Sequence, residues 1–153
     1  MKDVKQLIKE PIFFERNRVY RIYKGGKPYK ELFNDGFDDG TDNMFPEEWI
    51  ASKVKAINPK YFGERDGVSK IKGTNMFFDD LLEDYKEELL GNRKYDCLVK
   101  FLDSAVRLPF QVHPTKEFSR KHFNSNYGKT EAWLVVAKRP NAKLYFGFKD
   151  KIT

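Results

Sequence analysis

The sequence predicts a mainly β fold of the sandwich or barrel type, with one helical segment around residues 75–90. Three observations predict it. Short apolar or alternating runs recur at 19–23, 97–102, 108–114, 131–137 and 142–148, with turn-forming residues between them. A single stretch, 75–90, carries a clear helical period instead. Aromatic residues make up 16% of the 153 residues, including 14 Phe and 8 Tyr, so the chain has the bulk to build a core and is no disordered tail.

The elements follow in order. Val4, Leu7 and Ile8 give 1–9 a weak helical spacing that Pro11 stops. Phe13-Phe14 and then 19–23 alternate as a strand does, and Gly25-Gly26 with Pro28 forms a turn. Residues 30–33 fit one helical turn. The Asp- and Gly-rich stretch 34–43 is loop, as is 58–67. The ordered stretch from Pro46 to Ser52 suits helix and strand equally. In 75–90, Phe77, Phe78, Leu81, Leu82, Tyr85 and Leu89 fall on one face, opposite Asp79, Asp80, Glu83 and Asp84. Gly91-Asn92 closes that helix. Beyond Arg93, 97–102 reads as a buried strand, 108–114 alternates, 117–122 fits one or two helical turns, and 131–137 and 142–148 read as strands. No internal repeat or low-complexity stretch is present.

Composition excludes several classes. Cys97 is the single cysteine, so an intrachain disulfide scaffold is impossible. No apolar stretch reaches membrane-spanning length, and the first residues lack the apolar core of a signal peptide. The expectation is a cytoplasmic protein with no membrane partner. The net charge of +6 is uneven: residues 1–95 hold 18 basic and 18 acidic residues, and 96–153 hold 11 and 5. A basic segment favours an anionic partner such as a phosphate, a nucleic acid or an acidic surface, although a solvated lysine-rich face gives the same count.

Two tempting motifs fail. Gly128-Lys129-Thr130 resembles the end of a phosphate-binding loop, but that loop needs glycine where Phe123 stands. With Gly40 as its sixth position, a calcium loop would put Phe37 and Pro46 at ligand positions. Gln111-Val112-His113-Pro114 is more informative. On a strand, Gln111 and His113 share one face while Phe110 and Val112 turn into apolar packing, and the same geometry relates Lys129, Glu131 and Trp133. An amide oxygen, an imidazole nitrogen and a carboxylate suit a zinc site. Spacing alone equally allows a hydrogen-bonded structural histidine and a Lys129–Glu131 pair.

Three blocks in order resemble type I mannose-6-phosphate isomerase. They are Lys100-Phe101-Leu102-Asp103, Leu108-Pro109-Phe110-Gln111-Val112-His113-Pro114 and Gly128-Lys129-Thr130-Glu131-Ala132-Trp133. More loosely, Glu48-Trp49-Ile50-Ala51-Ser52 is similar to that family's Glu-Trp-x-x-Ser segment, and Arg18-Val19-Tyr20 with Gly25-Gly26 occupies the place of its Trp-Gly-Gly opening. The family's serine two residues before the glutamine is replaced by Pro109.

The resemblance implies a cupin, or jelly-roll, barrel, incomplete over 1–153, which would form the N-terminal part of the domain. Residues 1–95 would supply N-terminal strands, loops and the helix, and 96–153 the strands with the metal-site motifs. It implies one zinc ion on Gln111, His113 and Glu131, with Lys100 and Lys129 contacting a sugar phosphate. The implied reaction interconverts mannose 6-phosphate and fructose 6-phosphate. A further histidine ligand and the acid–base residues have no counterpart, since the only other histidine, His122, reads as a surface residue. The chain alone is therefore expected to bind zinc weakly or not at all, to be inactive, and to need a missing C-terminal half or a second chain. The alternatives are a non-catalytic metal- or sugar-phosphate-binding cupin, and a basic nucleic-acid-binding domain using 143–149. The first reading has no nucleic-acid partner.

Overall fold

The computed structural model describes residues 4–60 and 62–150. The elements run α1 (Val4–Leu7), β1 (Arg18–Val19), α2 (Tyr29–Phe33), β2 (Glu47–Ile50), α3 (Phe78–Asp84), α4 (Lys86–Leu90), β3 (Val99–Leu102) and α5 (Lys116–Phe123). Contacts divide the chain into a unit Met1–Pro109 and a unit Phe110–Thr153.

The first unit is built on an antiparallel sheet in the order β1-β2-β3. The ambiguous stretch after Pro46 is its central strand. Arg18 faces Glu48 across β1, and Trp49 faces Lys100 across β3. Pairing on both edges settles the choice between helix and strand that the short segment left open. Ala51, at φ +47, ends the strand, and Ser52 then turns inward, its amide donating to Ser69 Oγ at 2.9 Å. Because β3 is hydrogen-bonded to β2, the 97–102 run joins the N-terminal unit rather than the segment that follows it.

The core of this unit is Ile71, Phe78, Leu81 and Leu82. The phenyl ring of Phe78 meets the edges of Phe14 and Tyr95 at centroid distances of 5.0 and 5.2 Å. The expected helix at 75–90 is present in two pieces. Tyr85, at φ −126, ψ 36, breaks it between α3 and α4. The buried residues of α3 are Phe78, Leu81 and Leu82, as the apolar period required. Gly91 closes α4 at positive φ.

In the second unit the helical turn expected at 117–122 is α5. Thr115 caps it, accepting the amide of Phe118 at 3.1 Å, and Asn124 ends it in the left-handed region. The strands expected at 108–114, 131–137 and 142–148 are not formed as ladders among the described residues, and 19–23 shortens to Arg18–Val19. Alternation states which face a strand would bury, but only a neighbour makes it a strand. Phe110 and Val112 were expected to pack inward. They are 53% and 80% exposed, and the Phe110 ring lies instead against Phe148 at 5.1 Å. The three-stranded sheet is a partial β fold. No described helix is long and apolar enough to cross a membrane.

Candidate functional site

Two constellations of charged side chains stand out, one in each unit. In the first, β2 sets the geometry. Glu47 and Trp49 are two residues apart and therefore share a face, on which Lys100 of β3 stands opposite Trp49. The buried Glu47 carboxylate collects four donors. Oε1 accepts from Tyr23 Oη at 2.7 Å and Lys100 Nζ at 3.2 Å, while Oε2 accepts from Trp49 Nε1 at 2.7 Å and Arg21 Nε at 3.1 Å. Burial works against this charge, but the hydrogen bonds from Trp49 and Tyr23 and the charges of Lys100 and Arg21 outweigh it and hold Glu47 below the usual carboxylate range. Burial, and then the Glu47 charge, pushes the Tyr23 phenol far above its ordinary value. The Arg21 guanidinium lies 4.8 Å above the Trp49 ring and reaches Asn58 Oδ1 at 3.0 Å.

Glu48 points to the other face. Its Oε1 accepts the Asn17 amide at 2.7 Å, whereas Oε2 is buried without a hydrogen bond, 3.6 Å from Arg16 Nη2. Burial therefore dominates, and Glu48 is raised where its neighbour is lowered, despite the Asn17 amide and the nearby Arg16 and Arg18 charges. Arg16 and Arg18 both engage Asp38, which ties the acidic loop 34–43 onto β1. A cavity of about 430 Å³ opens beside them, lined by Phe37, Asp38, Asn43 and Phe45 as well as the two arginines.

In the second unit the chain at Gly128 runs against the start of α5. A Cβ on Gly128 would lie 2.8 Å from the Pro114 carbonyl oxygen, and the Lys129 amide donates to that same oxygen at 3.1 Å. This close approach carries Glu131 back to His113. His113 Nε2 lies 2.6 Å from Glu131 Oε2, and Lys129 Nζ reaches the same oxygen at 3.1 Å. Trp133 Nε1 donates to the remaining oxygen at 2.7 Å. Burial opposes the Glu131 charge, and the hydrogen bonds from Lys129 and Trp133 overcome it, so this carboxyl is held below the usual range.

Of the residues selected from sequence, His113, Glu131 and Lys129 therefore meet, and Lys100 is positioned by Glu47. Gln111 is exposed and makes no hydrogen bond to the described residues. His122 is exposed on α5, its ring stacked on Phe118 at 4.3 Å. Among the described residues no three His, Cys, Asp or Glu side chains gather for a metal ion. The donor chemistry of His113 and Glu131 nevertheless fits zinc, since an imidazole nitrogen and a carboxylate oxygen already converge. Sequence reading missed Glu47. The available signal was its parity with Trp49, which becomes usable once β2 is known to be a strand.

Fold and site together define a partial β protein with a lysine-bearing sheet face in one unit and a histidine–carboxylate–lysine cluster in the other. Comparison with known proteins makes this specific: the chain is similar in sequence to three proteins named mannose-6-phosphate isomerase. It is 28% identical over 148 residues to the mannose-6-phosphate isomerase of Streptococcus mutans, a match covering 93% of this chain and 42% of that one. Two Bacillus subtilis proteins match shorter stretches. The probable mannose-6-phosphate isomerase GmuF is 31% identical over 86 residues, 53% of this chain and 27% of its own. The mannose-6-phosphate isomerase ManA is 37% identical over 60 residues, 39% and 19% respectively. The chain thus spans less than half the length of these curated relatives. No family model and no solved structure matches it.

Proposed function

We propose that the chain carries part of a zinc-dependent aldose–ketose isomerase acting on mannose 6-phosphate and fructose 6-phosphate, in the N-terminal part of a cupin domain in the cytoplasm. The observation that carries this reading is the meeting of His113 and Glu131 at 2.6 Å in a chain related to enzymes of that name. In this reading His113 and Glu131 hold zinc and Gln111 joins them as a neutral oxygen donor. Zinc bound there supplies a Lewis acid for the oxygen charge that develops as a proton moves between adjacent carbons. Lys129 and Lys100 supply cations for the sugar phosphate. Glu47, saturated with donors, keeps Lys100 in a fixed position without approaching the substrate itself. The remaining ligand and the acid–base groups come from polypeptide beyond these residues or from a second chain.

The test is zinc content and titration on the purified chain. Zinc uptake, even weak, that is lost in His113→Ala supports the reading. Uptake that His113→Ala leaves unchanged overturns it. By itself the chain is expected not to turn over mannose 6-phosphate at an enzymatic rate.

A further inference from the structure

Glu131 reaches His113 through a side chain whose last torsion is soft. Turning about that terminal bond exchanges the two carboxylate oxygens, and the rotation is broad and two-fold in an unrestrained glutamate. His113 Nε2 and Lys129 Nζ both engage Oε2, at 2.6 and 3.1 Å. Contacts on one oxygen leave the other to swing. The group that holds the other oxygen is Trp133, whose Nε1 donates to Oε1 at 2.7 Å. Lys129 is the weaker anchor: its side chain is 54% exposed, and an ion pair in that setting is worth little. The indole is stiff and donates only through Nε1. Trp133 is itself 58% exposed, so core packing does not explain its place, and among the described residues its side chain makes one hydrogen bond, to Glu131. The same device recurs in the first unit. Trp49 follows Glu47 at the same spacing, and its Nε1 donates to that carboxylate at 2.7 Å while a lysine holds the opposite oxygen. There Tyr23 and Arg21 fill the remaining positions, whereas at Glu131 the place is taken by His113.

We infer that Trp133 is a positioning residue of the candidate metal site: it holds Oε1, fixes the plane of the carboxylate, and so presents Oε2 to His113 as the oxygen through which Glu131 meets a metal ion. The inference rests on the zinc reading above. A carboxylate already fixed has less freedom to lose when the metal arrives, and partners that stand behind metal ligands commonly change affinity by about ten-fold or more.

With 2 Trp and 2 His in the chain, each magnetic-resonance reporter has an internal control. Without metal and at a single pH, Trp133→Phe is expected to move the ring resonances of His113 toward their position in Glu131→Ala, where the contact is absent. The ring resonances of His122 and the indole N–H of Trp49 are expected to stay in place. His113 resonances that Trp133→Phe leaves unmoved overturn the inference, whether or not the chain takes up zinc. Equal movement at His122 and Trp49 marks a general loss of structure and also overturns it. Zinc titration is the second readout. Trp133→Phe is expected to lower zinc affinity about ten-fold, where His113→Ala removes binding altogether. Equal affinity in wild type and Trp133→Phe, with binding lost in His113→Ala, overturns the inference and leaves the zinc reading standing. Uptake indifferent to His113→Ala overturns the zinc reading and the inference together.

Discussion

Glu47 and Lys100 lie diagonally across the β2–β3 ladder with their charged atoms 3.2 Å apart, on a face whose other donors to Glu47 are Tyr23, Arg21 and Trp49. The adjacent residue, Glu48, projects to the opposite face and lacks a hydrogen bond at Oε2. Two neighbouring carboxylates on one strand are thus shifted in opposite directions from the ordinary value of 4.5.

Glu47→Gln is expected to destabilise the chain by about 3 kcal/mol at neutral pH, because it leaves Arg21 and Lys100 without their shared anion. Urea denaturation measures this. The tight Tyr23 and Trp49 hydrogen bonds also lose their charged acceptor.

The pH dependence separates the two glutamates. Glu47 is lowered in the folded state, so its contribution is complete above pH 4.5 and disappears as pH falls through its folded value. The penalty of Glu47→Gln therefore shrinks in acid. Glu48 is raised, so the folded state prefers it protonated, and its ionisation costs stability as pH rises from 4.5 through its folded value. Relative to wild type, Glu48→Gln gains stability as pH rises across that window. Parallel slopes for the two variants would contradict the assignment.

Gly25→Ala is expected to cost more than about 2 kcal/mol. A Cβ at Gly25 would sit 2.1 Å from the Asp103 carbonyl oxygen, where the chain leaves β3, and the next amide, that of Gly26, donates to Asp103 Oδ2 at 2.6 Å. Backbone cannot retreat as a flexible side chain can. A thermal midpoint unchanged from wild type would show that the 25–26 turn does not dock on residue 103.

Leu81→Ala is expected to cost about 3 kcal/mol, since Leu81 is fully buried with Ile71 and Phe78 and its loss leaves a cavity. Val112→Ala, at a position 80% exposed, is expected to change stability by less than about 0.5 kcal/mol. Comparable losses at both sites would mean that 108–114 is packed in solution.

On the proposed reading, Glu131→Gln is expected to weaken zinc binding without abolishing it, whereas His113→Ala abolishes it, because the first would remove the anionic ligand and the second the nitrogen. Zinc titration of both variants checks the order. Equal affinity in all three proteins would leave the pair as a structural contact.

The helix at 75–90 was legible because its apolar period is local: Phe78, Leu81 and Leu82 bury themselves wherever the helix docks. The turn at 25–26 and the helical turn at 117–122 were legible because their signals are local too, whereas the buried strand expected at 97–102 forms only over Val99–Leu102 and is not buried. In the candidate site, His113, Glu131 and Lys129 could be selected by residue type and order, and they do converge. Glu47 could not be selected, since its role depends on a strand whose identity the seven residues from Pro46 to Ser52 do not specify.

What the sequence by itself determined is chemistry and local propensity: the donor types at 113 and 131, the lysines at 100 and 129, and the alternation of 131–137. Only the tertiary structure decided which of these act together. β3 completes the sheet face that gives Glu47 its four donors, and the Gly128 approach to Pro114 brings Glu131 onto His113. The runs at 108–114, 131–137 and 142–148 show the limit most plainly. Their pattern was as strong as that of 97–102, yet among the described residues only 97–102, of these runs, has a neighbour to pair with. Helical hydrogen bonds close within a segment, whereas a strand's close between segments, so a strand is settled by its partner.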